Sequence, residues 1–214
     1  MAPFNQHYQE ATMRRRMKNE AGFTLIELMI VVVIIGILAV LAIFGVRKYL
    51  SSAKSAEATN TLGAINRAAV AAYERESAPA QLIEGASSAQ TLHKLCASSA
   101  AVPTSDAAIQ NKKYTANTAA NVDYHLGGGA APTGWMCLKF EMSEPQYYRY
   151  KYTAAASPAL ATNVTAPAGA NWLSEARGDL NGDGTFSGFL TGGKISTSGQ
   201  PVTFTEISQM NPED

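Results

Sequence analysis

The sequence predicts an α+β fold: one long N-terminal helix, apolar in its first half and amphipathic in its second, packed on a small antiparallel β-sheet head. Three observations predict it. Leu28 to Val46 runs nineteen positions without a charge, and nothing comparable follows. Residues 47–77 then contain no proline and one glycine, with apolar positions recurring on one helical face. Beyond Pro79 the period changes to alternation, in short segments bounded by Gly, Pro, Asn and Ser.

Residues 1–22 read as a leader. The opening MAPFNQHYQEAT is polar and patternless, and the basic cluster Arg14, Arg15, Arg16 and Lys18 follows it. Met13 stands just before that cluster, so Met1 and Met13 are both admissible starts. The apolar run is about long enough to cross a ~30 Å hydrocarbon core as a helix. A secretory signal has a shorter apolar region followed by its cleavage site. Here the run is longer, and the small pair Ala21-Gly22 precedes it. Cleavage after Ala53 or Ala58 is the alternative, and it leaves Glu27 without a role. Leader charge favours a cytoplasmic N-terminus, although Arg47, Lys48 and Lys54 on the far side weaken that rule.

The helix continues past the apolar run. Leu62, Ile65, Ala69, Ala72 and Tyr73 share one face, while Glu57, Arg67, Arg75 and Glu76 decorate the others. Pro79 supplies the stop. Phe23 to Ser77 is therefore a candidate helix of about 55 residues, or about 80 Å. The expected division is a leader at 1–22, a transmembrane or filament-core helix at 23–46, its amphipathic continuation at 47–78, and a globular head at 79–214.

Within the head, Trp135 to Met142 alternates, with Met136, Leu138, Phe140 and Met142 on one face. Gln146 to Thr153 alternates too, with Tyr148, Tyr150 and Tyr152 opposite Tyr147, Arg149 and Lys151. The short link Ser143-Glu144-Pro145 predicts that these two segments form an antiparallel hairpin. Ala154–Ala170 reads as a low-complexity loop. Trp172–Asp179, FSGFLTG from Phe186 and VTFTEI from Val202 are further candidate strands.

Charge excludes some functions. Basic and acidic residues balance at 17 each, which leaves no footprint for nucleic acid. Loss of the leader would remove four basic and two acidic residues, leaving a mildly acidic product. Cys96 and Cys137 lie beyond the membrane segment, and an exported location favours a disulfide between them over two buried free thiols. Neither belongs to a CxxC, and no catalytic set appears, so the reading is a structural protein and not an enzyme.

The junction KNEAG–FTLIELMIVVVIIGILAVLAIFGVRKY resembles a type IV pilin precursor, or the related type II secretion pseudopilins, over roughly residues 17–58. The resemblance rests on Gly22 before the cut, Phe23 as the new N-terminus, Thr24, Leu25, Glu27, and Gly36 inside the apolar run. It implies cleavage after Gly22 by a prepilin peptidase at the cytoplasmic face, N-methylation of Phe23, and bundling of the apolar helices into a filament core. It further implies an inner-membrane, single-pass subunit before assembly and an extracellular pilus afterwards. The implied partners are other pilin subunits and a pilus assembly platform, with no cofactor required. Motility, adhesion, DNA uptake and secretion are all compatible with that resemblance, as are a major pilin, a minor pilin and a pseudopilin. A membrane-anchored periplasmic binding module that never polymerises is the reading of a different class. Many relatives carry a proline late in the apolar run; here Phe44 and Gly45 stand there, so no proline kink is available.

Physics bears on Glu27 separately. A carboxylate in the first turns of a membrane helix costs about 2.5–3.5 kcal/mol on insertion scales. The amine of a neighbouring subunit's Phe23 would offset that cost and fix the axial offset between subunits. Thr24 and Glu27 also fit a capping box, in which Glu27 satisfies backbone donors at the helix start. The two roles are compatible.

A second candidate lies in the head. Asp179, Asn181, Asp183 and Thr185 follow the opening of a calcium loop, with Gly184 at the sharp turn. The twelfth position is Leu190 instead of a bidentate Glu, so Glu175 or another residue would have to substitute. The alternative is an Asn-Gly/Asp-Gly turn between strands. His93-x-x-Cys96, the sequon at Asn163 and the run Gly127-Gly128-Gly129 read more cheaply as loop and turn residues.

Overall fold

The computed structural model describes residues 22–75, 93–129 and 132–212. They divide at Phe44/Gly45 into two compact units. Helix α1, Leu25–Glu74, is continuous through the division. Its predicted start and stop were Phe23 and Ser77; Ser77 and the Pro79 stop lie outside the described residues.

In the first unit α1 is apolar on every side. Each large hydrophobic residue from Phe23 to Phe44 is about half exposed or more, and the helix passes the length and hydropathy requirements for crossing a membrane.

In the second unit α1 buries one stripe: Ala58, Leu62, Ile65, Asn66, Ala69, Ala72 and Tyr73. The steps of three and four residues keep them on one face. Leu62 and Ile65 are fully buried, each contributing about 1.5–3 kcal/mol. Among the described residues five strands form one antiparallel sheet: β1 Arg149–Thr153, β2 Trp172–Gly178, β3 Ser187–Ile195, β4 Pro201–Thr203 and β5 Ser208–Met210. The order is β1-β2-β3-β4, with β5 also pairing β3. In the β2–β3 register Leu173 faces Gly192 and Glu175 faces Leu190. Of the candidate strand at VTFTEI only Val202 and Thr203 are strand, at the end of β4; β5 begins just after it at Ser208. The whole is the α+β, pilin-like arrangement of a long N-terminal helix and a small antiparallel sheet.

Both faces of the sheet are covered. Tyr148, Tyr150, Tyr152, Trp172, Ala176 and Phe189 join Leu62, Ile65 and Ala69 of α1 in the main core. Leu173 and Leu190, pointing the opposite way, form a second cluster with Ala161, Val164 and Ala170. The Ala/Pro/Thr segment 154–170 is therefore a second layer. Its small side chains let the backbone lie close to the sheet.

The expected hairpin between 135–142 and 146–153 does not form. Gly134–Leu138 is a short helix, α2, ended by Lys139 in the left-handed region at φ 55°. Trp135 and Leu138, three apart, both enter the core. Helical spacing thus buries two residues that alternation would have sent to opposite faces. Cys137, between them, is bonded to Cys96. β1 pairs instead with β2, and Tyr150 forms an isolated bridge with Val102.

One buried polar group tests the packing. Tyr152 is fully buried and its hydroxyl has no hydrogen-bond partner among the described residues. Tyr152→Phe should leave stability unchanged or raise it by about 1 kcal/mol. Tyr150→Phe, which removes a bond to the Glu57 carboxylate at 3.1 Å, should lower it by a similar amount. Urea unfolding followed by tryptophan fluorescence separates the two; destabilisation by Tyr152→Phe would show that its hydroxyl is paired.

Candidate processing and assembly site

Gly22, Phe23 and Thr24 precede the first turn of α1, and Phe23 is 84 % exposed. The turn is closed reciprocally. The Thr24 amide and hydroxyl both donate to Glu27 Oε2, at 2.9 and 2.8 Å, and the Glu27 amide donates to Thr24 Oγ1 at 3.2 Å. The Leu28 amide donates to the Thr24 carbonyl at 3.3 Å. This is a capping box, and it answers two donors that a helix start otherwise leaves open. The bonds use one oxygen of the carboxylate, so the cap leaves Glu27 chemistry for a cation as well.

Farther along the apolar stretch, Gly36 has nothing within 4 Å of where a Cβ would sit. Val33, Ile37, Val40 and Leu41 line the shallow groove around it. The arrangement holds an exposed Gly22-Phe23 junction, a carboxylate one turn on, and a charge-free apolar rod.

Residues 17–43 match the prokaryotic N-terminal methylation motif. The matched stretch takes in the Gly22-Phe23 junction, Glu27 and the apolar run through Ile43, and it supports a pilin-like or pseudopilin precursor. No curated protein and no solved structure matches the chain. The motif ends before the head, so the head is read from its own geometry.

The loop after β2 is closed by its own side chains. Buried Asp179 accepts from the Gly182 amide at 2.6 Å, the Gly184 amide at 3.1 Å and the Gln110 side chain at 3.1 Å. Asn181 Oδ1 accepts the Asp183 amide at 2.9 Å, which turns its NH2 toward Asp183 Oδ2 at 3.0 Å. Asp183 Oδ1 accepts the Thr185 amide at 2.6 Å, and this bond holds its carboxyl below the usual range. The side-chain oxygens that a calcium ion would require are thus turned to loop amides, and one ligand position presents a donor. Glu175 does not complete the set either. It is fully buried, and its Oε2 accepts the amides of Ala159, Leu160 and Ala161 at 2.9, 2.6 and 2.9 Å, while Thr153 Oγ1 donates to Oε1. The loop's own bonds are those of Asx turns.

Other singled-out residues have structural partners. His93 Nδ1 lies 2.9 Å from the Tyr73 carbonyl and its ring stacks on Tyr73. Among the described residues no three His, Cys, Asp or Glu side chains gather as a metal set. Asn163 donates to the Phe186 carbonyl at 3.2 Å, and Gly127 and Gly129 occupy positive-φ turn positions.

Two polar residues of α1 escape a reading of the sequence alone. Asn66 accepts from Trp172 Nε1 at 3.2 Å and Ser174 Oγ at 2.7 Å, tying helix to sheet. Glu57 accepts the Tyr147 amide at 2.9 Å and the Tyr150 hydroxyl. An apolar stripe masks the first, and a surface-like Ala/Lys/Glu context masks the second.

Burial raises the Glu57 carboxyl, against the opposing bonds from Tyr147 and Tyr150 and the Lys113 charge. A raised folded-state value means the folded head binds the proton more tightly than the unfolded chain. This contribution is fully present below the ordinary carboxylate value, about 4.3, and fades as pH rises through the raised one. Glu57→Gln should therefore remove one falling limb from the stability–pH profile between those values. Urea midpoints measured across that window would overturn this if both proteins gave parallel profiles.

Proposed function

We propose that the chain is a structural subunit of a type IV pilus, major or minor, cut after Gly22, N-methylated on Phe23 and polymerised through α1. The methylation motif on the Gly22-Phe23 junction carries the reading. Support comes from the exposed apolar rod that follows, which water alone would not accommodate. Before assembly the rod sits in the inner membrane; in the filament it packs against its counterparts. There Glu27 meets a neighbour's Phe23 amine while Thr24 keeps the cap.

Mass spectrometry of sheared surface filaments tests this. Recovery of a peptide beginning at N-methylated Phe23 is the expected result, and Gly22→Leu should leave uncut precursor in the membrane. Processed protein confined to membranes would replace the pilus reading with the pseudopilin one. Uncut wild-type protein at steady state would replace both with an anchored module.

A further inference from the structure

The apolar run ends at Val46, and the helix changes character at once. Between Gly45 and Ala56 it carries Arg47, Lys48 and Lys54 and no acid. Tyr49 is 73 % exposed. Lys54 follows Val46 by eight residues, about 12 Å of helix rise.

The fold enlarges this patch with residues remote in sequence. Lys54 Nζ lies 4.8 Å from the centre of the Tyr147 ring, and Lys113 Nζ lies 4.7 Å from the same ring. One aromatic side chain thus gathers two ammonium groups, and Lys112 is exposed beside the second. Among the described residues two acids border the patch. Glu57 is turned into the head by Tyr147 and Tyr150 and offsets part of the charge. Glu144 is exposed three residues before Tyr147. Lys54, Lys112 and Lys113 against these two leave the gathered patch cationic, with Arg47 nearer the apolar run.

We propose that this collar docks on an anionic phospholipid surface while α1 is in the membrane, and so holds the head against the bilayer before assembly. The inference rests on the membrane-held stage proposed above. Headgroups extend about 5–8 Å beyond the hydrocarbon on each side. Surface charge reaches about 8 Å further at physiological ionic strength. Lys54 falls inside that range and Lys113 shares its tyrosine ring; within the range each basic residue gains about a fivefold preference for an anionic surface. Tyr49 suits the same depth, since tyrosine favours the interface. The collar also gives a reason for basic residues on the side that the positive-inside rule disfavours.

The test uses the full chain in vesicles with heads outward, treated with a water-soluble amine-acylating reagent and read by mass spectrometry. Acylation of Lys54 and Lys113 should be about fivefold slower in vesicles containing phosphatidylglycerol than in pure phosphatidylcholine. High salt should abolish the difference, and Lys194 on β3 should show none. Equal rates in the two vesicles, or equal slowing of Lys194, would overturn the proposal. So would inorganic phosphate giving the same protection in neutral vesicles, since that marks a free-anion site. Failure of the chain to float with neutral vesicles would overturn the membrane-held stage instead.

Discussion

Glu175→Ala should cost the head at least ~3 kcal/mol and leave segment 154–170 detached from the sheet. The three amides of Ala159, Leu160 and Ala161 converge on one buried carboxylate oxygen. Each buried donor left without an acceptor costs about 1–3 kcal/mol. Release of the segment would also uncover Leu173 and Leu190, which are buried beneath it. Glu175→Gln should be milder, because one amide oxygen can still face the donors while its NH2 turns to Thr153. Urea unfolding of the full chain in detergent, with limited proteolysis at 154–170, checks both. Equal, small losses for the two variants would mean that the carboxylate does not secure the segment.

Gly192→Ala should be nearly as severe, for a steric reason. A Cβ at Gly192 would lie 2.1 Å from the Trp172 carbonyl oxygen and 3.1 Å from Leu173 Cα. The obstacle is the backbone of the neighbouring strand, which cannot swing aside as a side chain can. Relief requires separating β2 from β3 at the Leu173–Gly192 pair. The Gly192 carbonyl would move with it, and that carbonyl accepts from Phe204 at 2.9 Å and from Asn66 at 3.4 Å. A loss of about 3 kcal/mol or more is expected, the upper end for overpacking. Gly36→Ala, which meets nothing within 4 Å, should leave head stability unchanged. A melting scan of the three proteins side by side would refute the steric argument if Gly192→Ala tracked Gly36→Ala.

These residues mark where the sequence was legible. Periodicity carried the helix: Leu62, Ile65, Ala69, Ala72 and Tyr73 are on its buried face. Alternation carried β1, where Tyr150 and Tyr152 are fully buried, as is Tyr148 just before the strand. The same alternation misled at 135–142, since short apolar segments serve strands and helices alike. There Trp135 and Leu138 obey a three-residue step that competes with the two-residue one. Glu175 was illegible for another reason. A glutamate in a strand reads as a solvent-facing residue until a distant segment folds over it. That segment, poor in large side chains, reads as a linker because its contribution lies in backbone amides. At the candidate processing site the Gly22-Phe23 junction itself was plain, and the structure adds the reciprocal bonds between Thr24 and Glu27.

The bond between Cys96 and Cys137 has a consequence for proteolytic damage. It encloses the wholly exposed stretch 117–122, an inviting target for a protease. A single cut there leaves both fragments joined through sulfur, so the shaft and the sheet stay in one covalent piece. Such a nick would be silent on a non-reducing gel and would appear as two bands only after reduction.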